Sequence, residues 1–226
     1  MTYPHESALF FDLDGALIES KAGIRAGLNA AMDIHALPHI SDEELAWIVG
    51  PPFQTTVPKL LQDRGAHDLD VPGFISTYRR IYSDGIIQKT PLMPGVLEML
   101  KALHGKWPLA IVTSKPEPQA RMVLESTGII GMFDVVVGSP PDENVRKALL
   151  LESACDQIDQ LHRFDPMHDR SWMIGDRHHD IDAAVEHGIS SVGVLWGYGN
   201  TQEFEAAGAT VIITEPMELL SVLAAI

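Results

Sequence analysis

The spacing of apolar residues changes twice along the chain. Ser7 to Phe11 is a short, mainly apolar run that ends on Asp12, which predicts a buried strand opening into a polar loop. From about Lys21 to Gln88 the apolar groups recur at helical spacing, at Ile24 to Leu28, Leu45 to Ile48, Val57 to Leu61 and Phe74 to Ile81. Pro38, Pro51-Pro52 and Pro72 part them, so this stretch predicts a small helical insertion. After Pro91 to Pro94 short apolar runs alternate with amphipathic segments. Strands are predicted at Leu109 to Val112, Val135 to Val137, Trp172 to Ile174, Ser191 to Leu195 and Thr210 to Ile213, each followed by a helix.

Regular strand-helix alternation implies an α/β fold, a doubly wound, Rossmann-like parallel sheet covered by helices on both faces. Such sheets bind ligands beyond the carboxyl ends of their strands, where the strand order reverses. A chain of 226 residues is long for one layered domain and short for two. The expected division is a core of residues 1–17 and 91–226 and an inserted α-helical cap subdomain of residues 18–90, with a hydrophobic content of 46% sufficient to fill the core.

No run reaches the roughly 18 apolar residues of a membrane span, and Met1 to Ser7 lacks the charged start and apolar stretch of a leader. A soluble, cytoplasmic protein without a membrane partner is expected. The single cysteine, Cys155, lies in an apolar helical stretch and reads as a buried spectator, in keeping with a reducing compartment. With 31 acidic against 16 basic side chains the formal charge is -15, which argues against a nucleic-acid partner. That charge also repels small anions at long range, so a phosphate site here must gather positive charge locally. The sequence does not choose between a monomer and a weak dimer.

The chemistry clusters at predicted strand ends. In Asp12-Leu13-Asp14-Gly15 the two aspartates lie on one side of an extended chain and repel each other unless a cation intervenes. Oxygen ligands without a local cysteine favour magnesium or calcium. An EF-hand is excluded, because the glycine comes fourth rather than sixth and Gly23 occupies the twelfth place. A second acidic segment, Gly175-Asp176-Arg177-His178-His179-Asp180, follows the Trp172 strand and begins a helix. Alone, Asp176 or Asp180 reads equally as a helix cap; if the two strand ends share one crevice, Asp12, Asp14 and Asp176 make a metal site. Between these segments, Thr113 and Ser114 follow a strand and can hold phosphoryl oxygens or make a local turn, and Lys147 begins a helix rich in Ala and Leu.

In order, spacing and setting these segments resemble the four motifs of the haloacid dehalogenase superfamily, over essentially the whole chain. Phe10 to Gly15 resembles the nucleophile motif, Val112-Thr113 the hydroxyl motif, Lys147 the lysine motif and Gly175 to Asp180 the acidic motif. The helical insertion, Pro94-Gly95-Val96 and Val194 to Gly199 look most like the phosphoglycolate phosphatase-like branch. Ala16 departs from the threonine or valine usual there; since valine serves, a hydroxyl at that place is not essential. The resemblance implies a magnesium-dependent phosphatase acting on a small phosphorylated metabolite. Asp12 would be the nucleophile that forms an aspartyl-phosphate, and Asp14 the acid and then the base. Magnesium would be held by Asp12, Asp176 and the backbone carbonyl of Asp14. Thr113, the Ser114 amide and Lys147 would stabilise the phosphoryl oxygens, with Asp180 orienting the metal shell or Lys147.

Other residues invite different readings. Arg177, His178 and His179 read as the variable middle of the acidic motif, directed to solvent or the insertion. No Gly-x-Ser-x-Gly elbow makes Ser114 a nucleophile. Trp47 and Phe53 read as core aromatics rather than pocket walls. A phosphomutase would share every residue named and differ in whether its insertion excludes water. A phosphonate hydrolase would need a cap lysine, for which Lys21 and Lys59 are nominal candidates, and a dehalogenase would have no need of both Asp14 and Asp176. A non-catalytic phosphate- or metal-binding module would need neither a nucleophile nor a proton shuttle.

Overall fold

The computed structural model describes residues 7–140, 145–164, 166 and 171–225. Its centre is β1 (Leu9–Phe11), three residues buried on both faces, as the unbroken apolar run requires. Strands β2 (Leu109–Pro116) and β3 (Val135–Ser139) extend the sheet on one side, and β4 (Trp172–Gly175), β5 (Ser190–Val194) and β6 (Val211–Ile213) on the other. The order is β3-β2-β1-β4-β5-β6 and every pairing is parallel. The chain therefore reverses its direction of sheet building between β1 and β4, which opens a crevice at their carboxyl ends.

Alternation along the strands divides the core in two. Leu9, Phe11, Ile111 and Ile174 point to one face, where they meet α5 (Val96–Leu103), α6 (Glu117–Ser126) and α10 (Glu218–Ala224). Phe10, Ala110, Val112 and Met173 point to the other, covered by α7 (Lys147–His162) and α8 (His178–His187). Cys155 on α7 is buried there. The last helix crossing is α9 (Thr201–Ala207), whose Phe204 is fully buried.

Between β1 and β2 lie α1 (Lys21–Ile34), α2 (Asp42–Ile48), α3 (Phe53–Asp63) and α4 (Val71–Ile81), continued by a wide turn at Tyr82–Ile86. The apolar groups at helical spacing form their shared interior, with Leu28, Met32, Leu45, Leu60 and Phe74 almost wholly buried. Ser41 and Glu44 build a reciprocal cap on α2, and Arg64 grips Glu44 with both guanidinium nitrogens at 2.6 and 2.8 Å. The segments leading into and out of these helices run side by side. Glu19 N donates to Pro91 O and Met93 N to Leu17 O, each at 2.9 Å. Among the described residues no helix is long and apolar enough to cross a membrane.

The observed strand bounds differ from the expected ones in a way that matters for the site. β2 continues to Pro116 rather than ending at Val112, with a register shift against β3 between Thr113 and Pro116. Polarity at Thr113, Ser114 and Lys115 signals a turn in sequence, but pairing with Gly138 and Ser139 carries the backbone on. β1 begins at Leu9 rather than Ser7, β5 begins at Ser190 and ends at Val194, and β6 begins at Val211. At Gly193 a Cβ would lie 2.6 Å from the Phe204 ring, so only glycine lets α9 pack onto β5. Gly193→Ala is expected to lower stability by about 1–3 kcal/mol, measured by equilibrium urea unfolding.

Candidate active site

Register explains how distant aspartates meet. Phe11 lies level with Ile111 and Ile174, so Asp12 leaves β1 beside Val112 of β2 and Gly175 at the end of β4. Asp12 N donates to Ile174 O at 2.9 Å, fixing the loop after β1 against β4. The carboxylates of Asp12, Asp176 and Asp180 converge, with ligand-capable oxygens within 4.8 Å of one another and all three residues buried. Lys147, the first residue of α7, reaches into this group from the helix beside α8. Its Nζ lies 2.5 Å from Asp12 Oδ1 and 2.9 Å from Asp180 Oδ1. Arg146, the extended residue that caps α7 one position earlier, turns outward and pairs with Glu186 at 2.8 Å.

Backbone amides hold two further oxygens. Asp176 Oδ2 accepts from Tyr198 N at 2.8 Å and Asp180 Oδ2 from Arg177 N at 3.1 Å. Gly15 has φ +94, and a Cβ there would lie 2.1 Å from Asp176 Oδ2, so the loop after Asp14 can close over Asp176 only as glycine. Among the described residues Asp176 Oδ1 is buried without a hydrogen-bond partner. Burial pushes the Asp12 carboxyl up to about 7, against the opposing charge of Lys147 and with that of Asp180. Burial, then the charges of Asp12 and Asp180, also hold Asp176 well above the usual carboxylate range. For Lys147 burial lowers the pKa, but Asp12 and Asp180 more than reverse this and hold the ammonium above its ordinary range. One ammonium among three buried carboxylates leaves negative charge uncompensated, and the orphaned oxygen with an all-oxygen donor set suits a hard divalent cation.

Asp14 departs from the expected side-chain metal set. Its carboxylate is absent from the cluster among the described residues, where Asp180 takes the third place, and lies 3.0 Å from Lys115 Nζ instead. The backbone has turned between Asp12 and Asp14, so the alternation that would put both on one side does not persist. A pocket of about 70 Å³ opens beside them, lined by Asp12, Asp14, Thr113, Ser114 and Lys115 from the core and by Gly50, Phe53, Tyr78 and Arg79 from the insertion. Thr113 is buried, and its hydroxyl accepts from Lys115 N at 3.1 Å, which holds the irregular end of β2; Ser114 is half-buried.

The other sequence readings divide. Phe53 lines the pocket, with its ring 4.7 Å from that of Tyr78, so the expectation of a purely core aromatic gives way there. Lys21 sits over the Tyr198 ring and Lys59 over Trp47, and neither lines the pocket. Arg177 reaches the insertion, donating to Val49 O at 3.0 Å, while Glu203 accepts from Arg177 Nε at 2.9 Å. His178 Nδ1 lies 2.8 Å from the same Glu203 oxygen. Sequence reading missed Lys115, Tyr198 and Glu203 as site-forming residues. A lysine among polar residues reads as solvated, and Tyr198 and Glu203 act through contacts that span more than 20 positions.

The model of the haloacid dehalogenase-like hydrolases matches residues 9–194. The chain belongs to this family. The tyrosine-protein kinase PtkA of Mycobacterium tuberculosis is 33% identical over 206 residues, which cover 90% of this chain and 67% of that protein. The phosphoglycolate phosphatase of Escherichia coli is 28% identical over 236 residues, covering 94% and 90% of the two chains. Among solved structures, a haloacid dehalogenase-like hydrolase from Streptococcus pneumoniae matches with a TM-score of 0.82 at 27% identity, covering 96% of this chain and 97% of that one. As a haloacid dehalogenase-like hydrolase, this chain has its acidic cluster at the strand ends where the sheet order reverses.

The raised Asp12 pKa gives a signed expectation. A carboxyl raised from 3.8 to about 7 on folding favours the folded state below both values, and that contribution is lost as pH rises through about 7. A divalent cation binding the ionised cluster should therefore raise Tm more at pH 8 than at pH 5.5, as read by scanning calorimetry in chelator against added magnesium. An equal shift at both pH values would contradict the argument.

Proposed function

We propose that the chain is a magnesium-dependent phosphatase that hydrolyses a small phosphate monoester through an aspartyl-phosphate on Asp12. The observation carrying this reading is the buried Asp12–Lys147–Asp180 arrangement, with Asp14 facing the pocket from the same loop. The name of the Escherichia coli relative supports phosphoglycolate or a similar small ester. Residues 18–90 would serve as a cap over a core of residues 1–17 and 91–226, since groups from both sides line the pocket.

Asp12 would attack phosphorus in line while Asp14 protonates the departing oxygen; Asp14 would then take a proton from the water that releases phosphate. Lys147 keeps the attacking oxygen of Asp12 oriented and offsets charge on the phosphoryl group. Thr113 and Ser114 would hold the equatorial oxygens. Asp12, Asp176 and Asp180, with the backbone carbonyl of Asp14, would hold magnesium, which when bound supplies the positive charge that lets an anionic nucleophile approach an anionic ester. The kinase name of the mycobacterial relative favours a second reading, transfer of the phosphoryl group to a hydroxyl other than water. Release of inorganic phosphate without any added acceptor distinguishes the two.

Asp12→Asn should remain folded by circular dichroism and lose phosphate release from 2-phosphoglycolate and p-nitrophenyl phosphate, because an amide cannot supply the attacking anion. Near-normal turnover in that variant would end the mechanism. Lys147→Ala should lower kcat by about a hundredfold or more, equivalent to about 3 kcal/mol. Arg146→Ala, which removes only an exposed pair with Glu186, should change it by less than about tenfold. The reverse ranking in one assay would displace Lys147 from its role.

A further inference from the structure

The buried Lys115 has no part in the mechanism above. Its side chain is only 6% exposed, although an ammonium is costly to bury without a partner. That partner is Asp14 Oδ1 at 3.0 Å. The position is held from both sides of the pocket. From the core, Lys115 N donates to the Thr113 hydroxyl in the irregular end of β2. From the insertion, the Tyr82 ring lies 4.8 Å below the ammonium, and Tyr82 is itself stacked on Tyr78 at 5.6 Å. The two aspartates of one loop thus have separate lysines. Asp12 turns to Lys147 and the acidic cluster, and Asp14 turns to Lys115 and the pocket.

We infer that Lys115 is a positioning residue that holds the Asp14 side chain in the pocket, toward the leaving-group oxygen, so that the site is built for esters of poor, aliphatic leaving groups. The inference rests on the reading of Asp14 as the acid. As the bond from Asp12 to phosphorus forms and the ester P–O bond breaks, the proton of Asp14 passes to the departing oxygen and negative charge appears on Asp14. A carboxyl oxygen held 3.0 Å from the Lys115 ammonium keeps the Asp14 side chain in one orientation through that transfer. The benefit scales with how far the proton has moved. An alkoxide needs the proton before it can leave, whereas a nitrophenolate leaves without it.

The test compares kcat/KM, which reports the steps through phosphoryl transfer to Asp12, for p-nitrophenyl phosphate, phenyl phosphate and 2-phosphoglycolate. Wild-type turnover of these esters, with Asp12→Asn inactive, establishes the parent reading; without it, both readings fall together. Lys115→Met should then lose about 30-fold or more on 2-phosphoglycolate and less than about threefold on p-nitrophenyl phosphate, with phenyl phosphate between them. Equal losses on all three, or no loss, would overturn the role of Lys115 and leave the phosphatase reading intact. Should Lys115→Met not fold, Lys115→Arg keeps the buried charge but displaces it. Its loss, about five- to tenfold, should again fall on the poor leaving groups alone, and a uniform change would overturn the inference.

Discussion

Three carboxylates buried against one another are the constraint on which the rest of the site depends. At 4.8 Å two unit charges repel by about 3 kcal/mol at an effective dielectric near 20, and Asp12, Asp176 and Asp180 lie within that distance. Folding brings them together because β1 and β4 are neighbours whose carboxyl ends open into the same crevice. Lys147 offsets part of the repulsion and backbone amides offset more, yet among the described residues Asp176 Oδ1 keeps no partner. A structure that retains such a cluster holds a place for positive charge from outside the chain. On the proposed reading, that charge would let the anionic group of a phosphate ester approach a protein whose overall charge is -15.

The loop after β1 separates two tasks over two positions. Asp12 is held in the charged cluster, and Asp14 is turned into the pocket beside Lys115. Gly15 permits this turn, because its positive φ lets the chain pass directly over Asp176. A nucleophile needs an anion kept ionised and aimed, whereas a proton shuttle needs a group that faces the departing oxygen. On the proposed reading, Lys147 would serve the first need and Lys115 the second.

Specific polar contacts tie the helical insertion to the core beside a shared apolar interior. Tyr198 from the core meets Ser20 N and Lys21 N with its hydroxyl, each at 3.1 Å, while its own amide holds Asp176. Trp196 Nε1 donates to Ala16 O at 2.9 Å, and Arg177 donates to Val49 O. The residues that carry the insertion are therefore the neighbours of those that carry the acidic cluster. Pocket walls and the acidic cluster are positioned by one network.

The sequence by itself determined the layer plan. Apolar runs of strand length alternating with amphipathic helices leave little choice but a parallel sheet covered on both faces, and helical spacing between Lys21 and Gln88 marks the insertion. It also pointed to Asp12, Asp14, Lys147 and Asp176 at the ends of strands and the start of a helix, because those signals are local. Which carboxylate turns to the acidic cluster was not local. Asp180 joins it, and Asp14 leaves it, through side-chain directions set by Gly15, Lys147 and Lys115 across the fold. The extension of β2 to Pro116 depends on β3, and the burial of Lys115 depends on Tyr82, which is 33 positions away in the insertion. Periodicity reports which face of an element is buried. Only the packed chain decides which charges meet, since their energy depends on distances between segments that no single segment encodes.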